Sequence, residues 1–434
     1  MTAEEGRLIL EADRRSRQRG RRLYVSIVVL VLLALVASLA LYMGGPYLLV
    51  PEPESTLTSV SGPQSWAMFQ GDPGRSGYMA AQPPRLKGDL IWTFKTREFL
   101  TTAPVVDQGR VFISTEDRRV IALSAADGQP LWEFPATGPV SSVPAIVDNT
   151  LYVGLLDGRV MALDTGNGKT LWEFHTGRPI ISSPVVYKGT VFVGSGNSNL
   201  YALDAVTGKK LWVYKAGFLV NSPPAVNDKV VAIVSSDQQI HIVNREIGRG
   251  RLTYLVVSPV HSSLAIDGEY VYAAVADGRL LAIDWRKVEY PLEKRFILRT
   301  KLQLYFWGFL KEQPKQKGFA WVFRPPKGAI RGSPAVTSEL VYFGTSQGSL
   351  YAVHRSNGEL KWEAILGSRI EASPVVIGDT IFVGTMDGFL YSLDAQAGTV
   401  LQRLSLPGPL SKGLAVVGDV VYGATTDGTV FALR

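Results

Sequence analysis

Residues 183–212, SPVVYKGTVFVGSGNSNLYALDAVTGKKLW, decide the fold of this chain. Alternating and β-branched side chains predict short strands at residues 183–187, 190–194 and 200–204, and a fourth strand at 211–214. Each strand is separated from the next by a short turn, so the segment predicts one meander of four antiparallel strands.

This unit recurs at a constant interval along the chain. The proline that starts the unit is found at Pro104, Pro144, Pro184 and Pro224. Four later copies begin near Ser263, Ser333, Ser373 and Gly413. A repeat of about 40 residues that is made of short strands is typical of a β-propeller blade rather than of a helical solenoid, so eight copies predict eight blades.

The two ends of the array predict how the ring closes. The last unit ends at 434 without a fourth strand, whereas an unpaired fourth strand, residues 90–94, precedes the first unit. If these two segments pair, the ring has eight complete blades and no exposed sheet edge. The predicted fold is an all-β, eight-bladed propeller of four-stranded antiparallel blades that follows one N-terminal transmembrane helix.

Two repeated features are interpreted as parts of the framework. The fourth strands carry a tryptophan, which could stack on a ligand but is expected to pack between neighbouring blades. These residues are Trp92, Trp132, Trp172, Trp212, Trp321 and Trp362, with Leu252 and Gln402 in two degenerate copies. The turn between the second and third strands reads Asp-Gly at 157, 277, 387 and 427, which predicts type I′ hairpins.

The N-terminal residues predict membrane attachment. Residues 1–23 form a basic tail with seven arginines, and residues 24–43 are apolar and carry no charge. A helix of that length spans one bilayer core, and the arginines predict a cytoplasmic N-terminus with the propeller on the periplasmic or extracellular side of the cytoplasmic membrane. A cleaved signal peptide is the alternative. Residues 44–65 read as a Pro/Gly/Ser-rich linker, and residues 66–434 as the propeller, with the ring at 88–434.

The amino-acid composition excludes several kinds of functional site. The chain has no cysteine, so disulfides, cysteine metal sites and a cysteine nucleophile are excluded. Its four histidines have no metal-ligand spacing. The net charge of +7 is concentrated in the N-terminal tail and in residues 285–320, which leaves the rest of the ring slightly acidic. A nucleic-acid-binding propeller would present a broad basic face, so no nucleic-acid partner is expected.

One unit is irregular. The fifth unit contains an insertion, at about 288–318, with four clustered aromatic residues and with lysine and arginine on both sides of them. These candidate contact residues are Tyr305, Phe306, Trp307 and Phe309. Three interpretations stay open: the aromatics pack back onto the ring, they bind a protein partner, or they contact a membrane surface.

A second candidate site lies at the central channel. The residue three positions before the repeated proline enters the innermost strand, and it varies from blade to blade while the framework repeats. The varying set is Thr101, Ser141, Ile181, Asn221, His261, Arg331, Glu371 and Ser411. His261, Arg331, Glu371 and the neighbouring Lys412 could form a polar mouth for a peptide or a small anion. The alternative is a solvated lining without a ligand.

The unit Ala202-Leu-Asp-Ala-Val-Thr-Gly-Lys-Lys-Leu-Trp212 resembles the repeat of pyrroloquinoline-quinone-type propellers. Residues 162–172 and 392–398 carry the same pattern, and residues 66–77, WAMFQGDPGRSG, are similar to the lead-in segment of those proteins. The resemblance covers about residues 66–434. It implies either a quinoprotein alcohol dehydrogenase or a non-enzymatic member such as the BamB-type outer-membrane assembly factor.

The dehydrogenase branch implies a vicinal cysteine pair, a Ca²⁺ held by Glu and Asn, and a catalytic Asp. This chain has no cysteine and no long loops to cover the quinone, so no catalytic, cofactor or metal residues are assigned. We therefore expect a non-catalytic scaffold that binds a protein, in envelope protein assembly or as an accessory subunit of a membrane complex. A quinone- and Ca²⁺-dependent dehydrogenase is the alternative. A sensor ectodomain is a third, but the tail at 1–23 is too short for a signalling domain.

Overall fold

The computed structural model describes residues 26–34, 50–59, 61–62, 64–100, 102–289 and 293–434. The chain divides into two compact units, residues 1–51 and residues 52–434. In the first unit, residues 26–34 form a helix, α1. The rest of the predicted membrane-spanning segment 24–43 lies outside the described residues. Within the described ranges, no helix is both long enough and apolar enough to cross a bilayer.

The second unit is built from eight sheets of antiparallel strands, the eight blades. Three short strands come first: β1 (Ser65–Trp66), β2 (Tyr78–Met79) and β3 (Leu90–Lys95).

The strands of blades 1 to 4 follow in chain order: β4 (Val105–Asp107), β5 (Arg110–Thr115), β6 (Arg119–Ser124), β7 (Pro130–Pro135); β8 (Ala145–Val147), β9 (Thr150–Gly154), β10 (Arg159–Asp164), β11 (Thr170–His175); β12 (Val185–Tyr187), β13 (Thr190–Gly194), β14 (Asn199–Asp204), β15 (Lys210–Lys215); β16 (Ala225–Val226), β17 (Val230–Ser235), β18 (Gln239–Asn244), β19 (Gly250–Leu255).

Blades 5 to 8 contain β20 (Ala265–Asp267), β21 (Tyr270–Ala274), β22 (Leu280–Asp284), β23 (Phe319–Phe323); β24 (Ala335–Val336), β25 (Leu340–Gly344), β26 (Ser349–His354), β27 (Leu360–Ile365); β28 (Val375–Ile377), β29 (Thr380–Gly384), β30 (Phe389–Asp394), β31 (Val400–Ser405); and β32 (Ala415–Val417), β33 (Val420–Ala424), β34 (Thr429–Leu433). Blade 8 takes β3 as its fourth strand. The predicted eight-bladed, all-β architecture is therefore confirmed.

Burial follows the order of the strands within a blade. The second and third strands are buried on both faces, as in β13, because each blade packs between two neighbours. Fourth strands such as β11 form the outer rim and keep alternate side chains exposed. The hydrophobic clusters lie between blades: one of them joins side chains of β24–β26 to side chains of β28–β30.

The hairpin prediction was right in position and wrong in turn type. In blade 2, Gly158 has φ +91° and its N–H donates to the carbonyl of Leu155 at 3.0 Å, whereas Asp157 keeps a negative φ. A type I′ turn needs positive φ at both central residues, so this is a three-residue loop closed by a left-handed glycine. Positive φ at two successive residues occurs instead between the first and second strands, at Lys188 and Gly189.

Ring closure joins the two ends of unit 2. β3 pairs antiparallel with β34, with Trp92 opposite Ala432 and Phe94 opposite Val430. Lys95 reinforces the pairing, because its ammonium group lies 2.8 Å from the carboxylate of Asp427. The hydrogen bond from Lys95 holds the pKa of Asp427 well below its usual range. The expected closure is therefore present.

The blade tryptophans lie between neighbouring blades. Each indole N–H donates to a carbonyl of the next blade, in the turn between its third and fourth strands. The six bonds are Trp92 to Ala125, Trp132 to Thr165, Trp172 to Ala205, Trp212 to Arg245, Trp321 to Arg355 and Trp362 to Ala395, at 2.9–3.1 Å. In the degenerate copies, Gln402 donates to the carbonyl of Leu86 at 2.8 Å, and Leu252 lies against Gly318.

The lead-in residues fill the central channel. Residues 64–79, the channel segment, pair with the innermost strands of blades 1 and 7 through β1 and β2. Its carbonyls also accept hydrogen bonds from the innermost strands of blades 2, 4, 5, 6 and 7. The donors are the N–H groups of Ile146, Val226, Ile266, Val336 and Val376, at 2.7–2.8 Å. The sequence did not predict this arrangement.

The insertion in blade 5 contains helix, which the all-β prediction did not include. A π-helical turn, Glu293–Leu298, continues into the α-helix α2 (Arg299–Phe306). None of the residues of α2 is buried.

Tryptophan packing predicts that alanine substitutions at two glycines of similar backbone conformation differ in their effect on the stability of the ring. Gly208 has φ +70°, and a Cβ there would lie 2.6 Å from Cε3 of Trp172, whereas Gly109 has φ +73° and open space around it. We expect Gly208→Ala to destabilise the ring by about 1–3 kcal/mol more than Gly109→Ala, because only the first adds a clash to the backbone strain. Urea unfolding of both variants measures the difference, and equal midpoints would contradict this packing.

Candidate functional site

The strand order gives the ring two faces with different connections. The lower face carries the turns between strands one and two and between strands three and four of each blade. The upper face carries the turns between strands two and three, together with the connections from one blade to the next. The channel-mouth residues predicted from sequence lie on these blade-to-blade connections, and therefore on the upper face.

Arg75 fixes the channel segment beneath this face. Its guanidinium group is fully buried and donates to the carbonyls of Phe69 at 2.7 Å, Pro224 at 3.1 Å and Ser183 at 3.1 Å. One side chain thereby connects the channel segment to blades 3 and 4. Burial lowers the pKa of Arg75, whereas the negative charge of Asp72 acts in the opposite direction.

Asp72 is the anion whose charge acts on this arginine. Its carboxylate accepts hydrogen bonds from the backbone N–H and the hydroxyl of Ser76 and keeps part of its surface in a cavity of about 330 Å³. Burial within the ring raises the pKa of Asp72 to about 6, although the bonds from Ser76 act in the opposite direction. The channel therefore contains a titratable group that the sequence did not reveal.

The four channel-mouth candidates occupy successive blades of the upper face. His261 of blade 5 and Arg331 of blade 6 are exposed, and Lys412 of blade 8 is exposed one position later in its unit. Glu371 of blade 7 is half-buried and forms an ion pair with Arg369. His261 lies on a depression that extends toward blade 3, away from the other three. Thr101 lies outside the described residues.

The depression on blades 3 to 5 is lined by apolar and polar side chains in similar numbers. Its volume is about 340 Å³, and its lining includes Ile181, Leu219, Pro259 and Val260 beside His261. Exposed apolar side chains continue beyond it at Phe218 and Val257. We call Ile181, Phe218, Leu219 and Val257 the apolar sector.

Blades 3 and 4 lack an ion pair that three other blades carry on the upper face. In blades 1, 2 and 5, an arginine at the start of the third strand pairs with an aspartate of the preceding turn, as Arg159 does with Asp157. Blades 3 and 4 carry Asn199 and Gln239 at that position. Without the arginines, the upper face of blades 3 and 4 has no charged rim of this kind.

The opposite side of the upper face is basic. Arg324, Lys327 and Arg331 of blades 5 and 6 are exposed, as is Lys412 of blade 8. Glu371, the acidic member of the predicted mouth, is already paired with Arg369. We call Arg324, Lys327, Arg331 and Lys412 the basic sector. The upper face thus carries an apolar sector on one side and a basic sector on the other.

The residues present do not fit the quinone and Ca²⁺ site that the dehydrogenase resemblance implies. No cysteine exists anywhere in the chain. Within the described ranges, no three His, Cys, Asp or Glu side chains come together in a way that could hold a metal ion. The channel segment fills the axis of the ring with backbone carbonyls and the buried Arg75. No catalytic step through a quinone is derived from this geometry.

Fold and site together define a closed eight-bladed propeller with a filled channel and with an apolar and a basic sector on one face. The family model described as outer membrane protein assembly factor BamB matches residues 80–183, 156–289 and 316–434. The chain therefore belongs to this family of pyrroloquinoline-quinone-like repeat propellers. The match leaves out the channel segment and most of the insertion. Comparison with curated proteins gave no significant match.

Solved structures share the fold at low sequence identity. BamB from Moraxella catarrhalis is 18% identical with a TM-score of 0.62, over 80% of this chain and 99% of that one. Quinohemoprotein alcohol dehydrogenase from Comamonas testosteroni is 15% identical with a TM-score of 0.66, over 85% of this chain and 80% of that one. The computationally designed Ika8 protein is 16% identical with a TM-score of 0.64, over 80% of this chain and 100% of that one. BamB and the quinohemoprotein alcohol dehydrogenase thus resemble this chain in fold to a similar degree.

A glycine pattern in the sequence could have revealed the channel segment. Gly71, Gly74 and Gly77 are spaced by three residues, and a Cβ on Gly74 would lie 2.5 Å from the carbonyl oxygen of Ile266. Glycine at regular spacing outside the repeat indicates close approach of two backbones. The apolar sector had no comparable signal, because its members come from separate blades.

Asp72 predicts a pH dependence of stability. Its folded pKa of about 6 exceeds the ordinary value of 3.8, so the unfolded chain releases this proton first as the pH rises. The free energy of unfolding then falls as the pH rises from 4 to 6. Above pH 6 the full cost of holding the ionised Asp72 in the folded ring is present. We expect the wild type to lose about 1–3 kcal/mol across this window relative to Asp72→Asn.

Urea unfolding at several pH values measures this difference. Asp89→Asn serves as the control, because Asp89 is exposed and its substitution should leave the pH profile parallel to that of the wild type. A parallel profile for Asp72→Asn as well would show that the channel carboxylate does not titrate in this range.

Proposed function

We propose that this chain is a non-enzymatic interaction scaffold whose ring is held at the outer side of the cytoplasmic membrane by residues 24–43. The uncharged length of that segment and the seven arginines before it support the anchor and its orientation. Membership of the BamB family supports a scaffold that binds protein. The same membership supports a role in envelope protein assembly or as an accessory subunit of a membrane complex.

The upper face is the partner-binding surface in this proposal. Ile181 and Leu219 of the apolar sector line a preformed depression on blades 3 to 5, and Phe218 and Val257 are exposed beyond it. Apolar anchors that enter such a depression are the groups that supply most of the binding energy at protein interfaces. This cluster of exposed apolar side chains beside the depression is the observation that carries the proposal.

The basic sector defines the chemistry of the partner. Exposed cations at Arg324, Lys327, Arg331 and Lys412 favour acidic residues on the partner, and they would also accelerate its association. The preferred partner is therefore a protein segment with apolar side chains flanked by aspartate or glutamate. Rigid blades would hold both sectors in place before the partner binds. This lowers the conformational entropy that is lost on association.

Site-specific photo-crosslinking tests the assignment. A benzophenone side chain at Ile181, in the full-length chain in its native membrane, should crosslink to a discrete partner. Val213 is the control, because it is 43% exposed like Ile181 but lies on the outer strand β15. The crosslink at position 181 should be lost when Leu219→Asp is added, because a carboxylate would repel the acidic partner. Equal crosslinking at both positions, or none at position 181, would contradict the proposal.

The dehydrogenase alternative has one observation in its favour, the shared fold of the Comamonas testosteroni enzyme. Titration of the purified protein with pyrroloquinoline quinone and Ca²⁺ tests it directly. We expect no saturable spectral change and no alcohol-dependent reduction of a dye. Tight quinone binding with dye reduction would replace the scaffold proposal by an enzymatic one.

A further inference from the structure

The insertion of blade 5 is held firmly at its base. The N–H of Glu289 donates to the carbonyl of Arg251 at 2.6 Å, and Gln316 exchanges two hydrogen bonds with the backbone of Leu255, at 2.8 and 3.0 Å. Both partners belong to β19, the outer strand of blade 4. Lys317 also pairs with Glu293 at 2.7 Å. The base of the insertion therefore covers one exposed sheet edge and orients what projects beyond it.

The tip of the insertion, residues 297–311, exposes its apolar side chains. Phe306 is 86% exposed, Trp307 64% and Phe309 74%, and Tyr305 and Leu302 are also exposed. This placement contradicts the interpretation in which the aromatics pack back onto the ring. A cluster of exposed aromatics is costly in water and indicates a surface that is covered in the functional state.

Basic side chains surround these aromatics. Arg299, Lys301 and Lys311 are exposed, and residues 285–320 have a net charge of +6. Aromatic residues mixed with lysine and arginine are typical of segments that lie in the headgroup region of a bilayer. The cations would be attracted by anionic lipids.

The position of the insertion favours the membrane over a protein partner. The insertion replaces the turn between strands three and four of blade 5, and this turn belongs to the lower face. Residues 54–58 also bind the lower face: the N–H of Gly189 donates to the carbonyl of Leu57 at 2.7 Å, and the N–H of Glu54 donates to Asp204 at 2.6 Å. Only the short stretch 44–53 separates this contact from the hydrophobic segment 24–43. A stretch of that length reaches at most about 35 Å.

We propose that the tip, residues 297–311, inserts its aromatics into the headgroup region of an anionic bilayer and forms a second membrane contact beside the N-terminal anchor. This inference rests on the anchor in the proposed function. Two contacts on one face hold the lower face toward the lipid and present the upper face to the partner. An anchor alone would leave the ring free to rotate about the linker.

The absence of cysteine allows a direct test in the full chain. Phe306→Cys introduces a single thiol that can carry an environment-sensitive nitrobenzoxadiazole label. In proteoliposomes of phosphatidylcholine and phosphatidylglycerol, its emission should shift to shorter wavelength and be quenched by lipids with doxyl groups. Val257→Cys is the control, because Val257 is 80% exposed on the upper face and its label should stay aqueous.

Charge reversal gives a second, independent variant. Arg299→Glu, Lys301→Glu and Lys311→Glu together should reduce the quenching of the label at position 306 in these anionic vesicles. If the charge reversal leaves the quenching unchanged, attraction to anionic lipid does not hold the tip at the bilayer, and that part of the proposal is wrong.

Flotation of the vesicles after an alkaline wash separates the two proposals. A chain that floats while the label at position 306 stays aqueous would overturn the second contact and leave the anchor standing. A chain that is not recovered with the vesicles would overturn both.

Discussion

Closure of the ring through β3 and β34 is the constraint on which the rest of the structure depends. β3 lies at the start of the ring and β34 at its end, and blade 8 has a fourth strand only because these two strands pair antiparallel. Each interior blade buries its two central strands only because a neighbour lies on either side. An open array would therefore expose two apolar blade surfaces and one unpaired strand edge.

The channel segment strengthens the same constraint from inside. Its carbonyls accept hydrogen bonds from successive innermost strands, and Arg75 joins it to blades 3 and 4. These bonds satisfy N–H groups that would otherwise need water in the channel. The axis is consequently part of the framework, and binding surfaces are left to the two faces. The upper face offers apolar and basic sectors, and the lower face carries the chain entry and the insertion.

Prediction from sequence succeeded where the deciding interactions are local. Residues 183–212 indicated four strands, because alternation and turn residues act over a few positions. Repetition then extended that result to eight blades and to the tryptophans. It failed at the turn type of Asp157-Gly158, at the helix of the insertion and at the channel segment. The helix and the channel segment do not follow the repeat, so the pattern that carried the other predictions did not apply to them. The turn does recur in four blades, but an Asp-Gly pair is compatible with more than one type of hairpin loop.

The sequence by itself determined the blade, the number of blades and the pairing of the two ends, since each follows from periodicity and from the need to pair strand edges. Tertiary structure alone decided where residues 64–79 lie, that burial raises the pKa of Asp72, and which upper-face side chains become neighbours. The physical reason is distance along the chain. The packing of whole blades brings Ile181, Leu219 and His261 together. The conformational preferences of the residues around each of them do not indicate that the three side chains become neighbours.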